Sequence, residues 1–392
     1  MAVGTNTKLD FTEFFNVIDG KLETTKETAR GVNPSTLEKM PSVPVSTPED
    51  VDRAVQAAKR VSGAWADVPY KERQAIVAKF ADGIASIQED LTVLLTKKQG
   101  KALQLAHVEI GMAIQFLQGY AQLADPEEVI EDKPGRRVVT KYVPLGVAVG
   151  IVPWNSPVFL GKVYGIYSNW SEGPAERCWN SSVGGNDPAI VCSDVNLKKV
   201  APKFAMAALA NSGQLCIAIK RIYVHESIYD GLLEAIAVTV KSLPVGDGLE
   251  SSTLMGPVQN HLQFDRVKSL LADIQSHNLK LAAGSIRPSD AGKEYFITPT
   301  VVDNPPDASR IVVEEPFGPV FPVLKWKDED EVLRRANDIP MGLGASIWTP
   351  DLVKAERLAA KLKAGTGGIG AEHDLEGIKS YCNTKSVFVN AA

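Results

Sequence analysis

A chain of 392 residues, 44% apolar and 23% charged, is long enough to bury a large core and to divide into two or three domains. Its net charge of −5 gives no electrostatic attraction for nucleic acid or anionic lipid, which leaves small molecules and copies of itself as partners. The N-terminal text has no basic stretch followed by an apolar one, and the longest aliphatic run, "VPLGVAVGIVPW", is short and broken by Pro and Gly. A cytoplasmic protein that does not cross a membrane is therefore expected.

In chain order, residues 10 to 46 read as a strand-rich lead-in with turn chemistry at Asp19-Gly20 and Asn33-Pro34. The period then changes. Ser46 or Thr47 caps a helix, with Pro48 in its first turn and Glu49 and Asp50 behind it, that runs to about Ser62. Two further amphipathic helices are expected over Lys71–Ile87 and roughly Lys101–Leu123. "GRRVVTKYVPLGVAVGIVPWN" turns to β-branched residues: one strand or hairpin arm, a turn at Pro144-Leu145-Gly146, then a buried strand from Val147 to Val152 that ends at Pro153-Trp154-Asn155. Residues 161 to 182 follow no period and look foreign to their surroundings. Regular texture resumes with a strand at Ala189–Cys192, a capped turn at Ser193-Asp194, a helix to about Ala210, and a strand then a long helix beyond Cys216. "YFITPTVVDN" and "LGASIWT" read as strands, and "EDEVLRRAND" and the stretch from Thr349-Pro350 to Gly365 as helices. This alternation argues for an α/β fold with a substantially parallel sheet.

The four cysteines, Cys178, Cys192, Cys216 and Cys382, are scattered without CxxC pairs or nearby His clusters, so neither a zinc site nor a disulfide framework is indicated. Three places could carry chemistry, and each has two readings. Cys216 in "NSGQLCIAIKR" is either a buried structural thiol or a nucleophile at a loop junction where backbone N–H groups meet a reacting carbonyl. Asn155 is either a loop-stabilising amide or a fixed donor to an oxyanion. In "VVEEPFGPVFPV" the paired acids are either solvated, or one accepts hydrogen bonds from a ribose while Phe317 lies against a planar ring.

Taken in order, "PLGVAVGIVPWNSP", "GGNDPAIV", "NSGQLCIA", "ITPTVVDN", "EEPFGPV" and "ANDIPMGLGASIWT" resemble the aldehyde dehydrogenase superfamily, over most of residues 14–160, 183–366 and about 368–390. The resemblance implies an incomplete Rossmann-type cofactor domain within 1–185, with 136–146 as an oligomerisation hairpin, a catalytic domain over 186–366 and an oligomerisation tail over 367–392. It also implies oxidation of a small aldehyde to a carboxylic acid with NAD or NADP, by a homodimer or homotetramer. By residue, Cys216 stands at the nucleophile position and Asn155 at the oxyanion asparagine. Glu315 matches the ribose-binding glutamate and Phe317 the aromatic beside nicotinamide, with Trp154 on the same cofactor side.

The sequence departs from the family's pattern in three ways. Where the family has a glutamate base two residues before a Gly-Gly pair, this chain reads Ser182-Val183-Gly184-Gly185. Between Asn155 and Ser182 there is too little chain for even one βαβ crossover of roughly thirty residues, which implies weakened NAD(P) binding. A second family segment is missing where Thr366 runs into Gly367-Gly368. Two clean gaps between intact family stretches are the pattern of a damaged or misread coding sequence. Two alternatives to an aldehyde dehydrogenase stay open: an inactive remnant that acts by association, and a slow thiol esterase using Cys216 and Asn155.

Overall fold

The computed structural model describes residues 9, 11–166, 185–286, 295–340, 342–364, 374–379 and 382–390. Asp19 and Gly20 adopt the left-handed conformation, φ 53° and 73°, that a two-residue hairpin requires, and they join β1 (Asn16–Ile18) to β2 (Lys21–Glu23). A second antiparallel pair, β3 (Thr28–Val32) and β4 (Lys39–Pro44), completes the lead-in. Helix α1 (Pro48–Ala66) starts where the sequence places it. The Thr47 hydroxyl accepts from Asp50 N–H, the Asp50 carboxylate accepts from Thr47 N–H, and Pro48 lies in the first turn. Three helices follow: α2 (Tyr70–Ser86), α3 (Gln88–Gln99) and α4 (Leu103–Tyr120). Helix α3 has no sequence-level counterpart in the expectation, because no turn residue separates it from α2. It ends at Gly100, left-handed at φ 74° and packed too closely against the Pro257 and Pro34 rings to carry a side chain.

Strands β5 (Glu127–Lys133) and β6 (Arg136–Pro144) turn at Gly135, and β13 (Cys382–Asn390) pairs along the whole of β6 on its other side. Beyond Pro144 the expectation fails. Val147–Val152 forms no strand among the described residues, and Val149 and Ile151 are 76% and 84% exposed. An apolar β-branched run becomes a strand only where a neighbour takes its N–H and C=O groups, and no described strand lies beside it. After the Pro153-Trp154-Asn155 loop comes α5 (Pro157–Ile166). Most of the foreign-looking stretch 161–182, the Ser182 position and the Thr366–Gly368 junction lie outside the described residues.

The main sheet holds six strands: β7 (Asp187–Val191), β8 (Ile219–His225), β9 (Leu281–Ala283), β10 (Thr300–Asp303), β11 (Val320–Trp326) and β12 (Ser346–Trp348). Their order is β12-β7-β8-β11-β10-β9, parallel throughout except for β9. The fold is α/β, and the alternation of each strand decides its two faces. Ile222, Val224, Phe321 and Val323 face α6 (Leu197–Leu209) and α7 (Tyr229–Lys241), where Phe204, Ala208, Leu232 and Ile236 are fully buried. Ile190, Tyr223, Val320 and Leu324 face α8 (His261–Ser276), α9 (Arg310–Val313), α10 (Glu329–Asn337) and α11 (Leu352–Ala359). Each fully buried Leu, Ile or Phe in these layers is worth about 1.5–3 kcal/mol. The sheet is thus a rigid platform with loops at its ends. A short helix, α12 (Asp374–Lys379), precedes β13.

Candidate active site

Helix α6 ends at Leu209, and the chain then turns in four residues, Ala210–Gly213. Asn211, Ser212 and Gly213 are all left-handed, at φ 52°, 56° and 71°. The two non-glycine residues cost about 1–2 kcal/mol each in that region, and side-chain hydrogen bonds hold them there. Gln214 Nε2 donates to Asn211 O at 2.9 Å, Ser212 Oγ donates to Gly256 O at 2.7 Å, and Gln259 N–H donates to Gln214 Oε1 at 2.9 Å. Gly213 has no room for a Cβ, which would meet the Gly318 carbonyl oxygen and the Lys220 ammonium. This fixed turn presents Cys216, half-buried, at the entrance to β8.

Burial pushes the Cys216 thiol up, and the Glu315 carboxylate pushes it further. The backbone N–H groups of Cys216 and Ile217 oppose both by donating toward the sulfur. The same two amides would meet negative charge on an atom bonded to that sulfur.

Asn155 is buried at 4% exposure, and its Nδ2 donates to Gln214 O at 3.1 Å, two residues before the thiol. Its carbonyl oxygen accepts from Asn211 Nδ2 at 3.2 Å, within the Ala210–Gly213 turn. The neighbouring Trp154 ring meets the Phe317 ring edge-on, with centroids 5.4 Å apart at 88°. Phe317 is itself left-handed at φ 45°. Gln263 Nε2 spans the Pro316 and Phe317 carbonyls at 3.1 and 2.9 Å, and an Arg266 guanidinium N–H donates to the Glu315 carbonyl at 3.0 Å. The Glu315 carboxylate accepts from Gly185 N–H at 3.2 Å. Burial raises its pKa, against the Gly185 N–H and the charges of Lys220 and Arg266. Gly185 in turn lies so close to the Cys216 carbonyl that a Cβ would overlap it. The structure thus ties Asn155 to the turn before Cys216, pairs Trp154 with Phe317, and sets the Glu315 carboxylate near enough to Cys216 to push its thiol up.

Several residues at this centre were not legible in the sequence. Lys220 and Arg221 read as a basic pair, yet they are 0% and 2% exposed within β8. Burial pulls the Lys220 ammonium down to about 7, and it donates to Ala208 O at 3.0 Å and Gly318 O at 2.9 Å. The apolar residues on both sides, "CIAIKRIYV", are the only signal of that burial. Asp187, at the start of β7, is buried and pushed up to about 7. Burial is the main cause and Glu315 adds to it, while the Gly344 N–H at 3.0 Å and Arg221 oppose. Lys101 and Glu109, on either side of the α4 start, form a buried ion pair under Asn155. Among the described residues no group of three His, Cys, Asp or Glu side chains could hold a metal ion, and no helix is long and apolar enough to cross a membrane.

The sequence profile of the aldehyde dehydrogenase family matches residues 22–163 and 175–381. The aldehyde dehydrogenase LUC3 of a Fusarium species is 30% identical over 465 aligned residues, covering 97% of this chain and all of that protein. In three dimensions the chain resembles a putative aldehyde dehydrogenase from Burkholderia cenocepacia, at a TM-score of 0.89 and 25% identity over 97% of this chain and 98% of that one. A point mutant of betaine aldehyde dehydrogenase from Staphylococcus aureus, solved in complex with NAD+, gives a TM-score of 0.88 at 25% identity over 96% of each chain.

Proposed function

The chain belongs to the aldehyde dehydrogenase family, and from that premise we propose that it acts on a small aldehyde through Cys216, with NAD(P)+ as the oxidant of the family reaction. The observation that carries this reading is that two backbone N–H groups donate toward the Cys216 sulfur, on a turn held in left-handed geometry and tied to Asn155 through the Gln214 carbonyl. After losing its proton, the Cys216 sulfur bonds to the aldehyde carbon, and the carbonyl π pair moves onto oxygen. On this reading the Asn155 amide, with the Nδ2 hydrogen not given to Gln214 O, and the Cys216 N–H hold that oxyanion, a contribution worth about two to three orders of magnitude in rate per donor. A bound nicotinamide supplies the acceptor for the hydride that turns the thiohemiacetal into a thioester.

The fit of that cofactor divides in two. At the nicotinamide end Glu315, Phe317 and Trp154 offer a carboxylate for ribose hydroxyls and two ring edges. At the adenosine end, no strand among the described residues pairs beside Val147–Val152, where a cofactor-binding sheet would continue. The aligned span of 465 positions against a 392-residue chain supports the view that relatives carry segments with no counterpart here. NAD(P) binding is therefore weak in this chain, and water attack on the thioester lacks its glutamate, since Ser182 stands in that place. Loss of a general base costs about two to four orders of magnitude. On this reading residues 1–185 are a shortened cofactor domain, 186–366 the catalytic domain and 367–392 the oligomerisation tail. Exposed Phe388 and Val389 on β13 and Ile130 on β5 support a homo-oligomer built on that sheet.

The test is incubation of the full chain with a panel of aldehydes and NAD+ or NADP+, reading reduced nicotinamide by absorbance. Slow, Cys216-dependent reduction is expected, and turnover near the rates of full-length relatives would overturn the impaired-cofactor reading. The missing cofactor segments favour a second activity that needs no nucleotide, slow hydrolysis of activated esters such as p-nitrophenyl acetate. Its abolition by Cys216→Ala separates it from an inactive remnant.

A further inference from the structure

Lys101 and Glu109 are 4% and 6% exposed, and the Lys101 ammonium is ion-paired with the Glu109 carboxylate. Burial pulls the Lys101 pKa down and Glu109 opposes the shift. A buried pair of this kind stabilises a fold no better than apolar residues of the same volume in many proteins, because desolvation of both ions offsets their attraction. What distinguishes this pair is where its remaining hydrogen bonds go. Lys101 Nζ donates to Asn155 O at 3.0 Å, and Glu109 Oε1 accepts from Val158 N–H at 3.0 Å and Phe159 N–H at 3.2 Å. All three partners are backbone groups within one five-residue stretch, the loop carrying Asn155 and the first turn of α5. The two N–H groups belong to the helix start, where intrahelical partners are missing and a carboxylate is favoured by the dipole. Gln99, just before Lys101, donates its side-chain amide to the Trp154 carbonyl.

The Asn155 carbonyl is the meeting point. It accepts from Lys101 on one side and from Asn211 of the nucleophile turn on the other, while the Asn155 side chain reaches Gln214 O. We infer that Lys101 and Glu109 are positioning residues, a buried charged clamp that sets the Asn155 loop against the turn before Cys216 and so determines the rate of the first covalent step. This rests on the proposed role of Asn155. The pair touches no reacting atom and acts only through the loop. A displacement of the loop on the order of 1 Å costs about a hundredfold in rate, which is the scale of effect the clamp controls.

Two measurements on the full chain decide it. The first is the acylation burst with p-nitrophenyl acetate in Glu109→Gln, alone and combined with Asn155→Ala. The amide keeps an acceptor for Val158 and Phe159 but removes the counter-charge of Lys101. The clamp predicts a loss of about 10- to 100-fold in the burst rate constant, with the ester concentration giving half-maximal burst rate unchanged within about twofold. It also predicts that Glu109→Gln adds nothing further once Asn155 is Ala. A full-rate Glu109→Gln, or the same loss persisting in the Asn155→Ala background, overturns it. The second is amide hydrogen exchange in Lys101→Met/Glu109→Leu, an apolar pair of similar volume chosen to preserve the fold. Exchange at Val158 and Phe159 is expected to quicken about tenfold or more with β8 amides unchanged, and unaltered exchange at both overturns the clamp. If the unsubstituted chain shows no Cys216-dependent hydrolysis, the esterase reading fails, and the exchange result alone decides whether the pair holds the Asn155 loop.

Discussion

At Cys216 the balance of forces favours the protonated thiol. Burial and the Glu315 carboxylate both disfavour the thiolate, and only the backbone N–H groups of Cys216 and Ile217 favour it. Alkylation by iodoacetamide, which reads the thiolate fraction, is therefore expected to rise with an inflection above the ordinary thiol range. Glu315→Gln removes the negative charge that raises the thiol most, so its inflection is expected at lower pH. An inflection below the ordinary range in the unsubstituted chain, or one unmoved by Glu315→Gln, contradicts this balance. At this scale the sequence spoke most clearly where chemistry and backbone geometry coincide: Cys216 beside its Gly213 turn, Asn155 after Pro-Trp, Phe317 before Gly318. It was silent where a charge is buried, because a Lys at position 220 or 101 has the same letter whether it is solvated or enclosed.

Elements with their own punctuation were legible, and elements defined by neighbours were not. The capping box at Thr47 and the Asp19-Gly20 turn specify their structures locally, and both formed. Helix α3 was hidden because its start at Gln88 follows α2 with only Ile87 between them. Val147–Val152 has the composition of a buried strand, but strand formation needs a partner that local sequence cannot provide, and the run lies exposed. The junction of β7 and β8 is the opposite case, since the glycine there is required by contact. At Gly185, Ala would drive its Cβ into the Cys216 carbonyl, displacing the loop before β8 or the start of β7. Gly185→Ala is expected to lower stability by about 2–3 kcal/mol, the scale of overpacking in a rigid core, and to abolish Cys216-dependent ester hydrolysis. Denaturant titration and the acylation burst read the two effects, and a variant with parental stability and burst would show that the junction yields. Thr47→Ala is a milder control: losing one half of the capping box is expected to cost about 1 kcal/mol with the burst unaltered.

For the whole molecule, the two buried groups at the main sheet, Asp187 and Lys220, make stability depend on pH in opposite directions. Asp187 titrates at about 7 in the fold and near 4 in an unfolded chain. Between those values the folded chain keeps a proton that the unfolded chain has released, so this group's contribution falls as pH rises and the full penalty is in place above 7. Lys220 titrates at about 7 in the fold and near 10.4 when unfolded. Across that window the unfolded chain holds the extra proton, so this contribution rises with pH, and the cost of the buried ammonium is greatest below 7. Surface pairs such as Arg53 with Glu23 and Asp50 overlay their own weaker trends, and differences between variants isolate the buried groups. Asp187→Asn keeps an oxygen for the Gly344 N–H and removes the charge. Its stability relative to the parent is expected to improve between pH 5 and 8, by on the order of 2 kcal/mol at about 1.4 kcal/mol per pKa unit. For Lys220→Met the relative stability is expected to decline from pH 7 to 10, as the parent recovers by shedding its buried proton. Thermal unfolding of the three proteins at several pH values reads both differences. Parallel curves for the parent and either variant would mean that the corresponding side chain is solvated or fully charge-compensated, and that the platform beneath Cys216 is not the dry, closed layer described above.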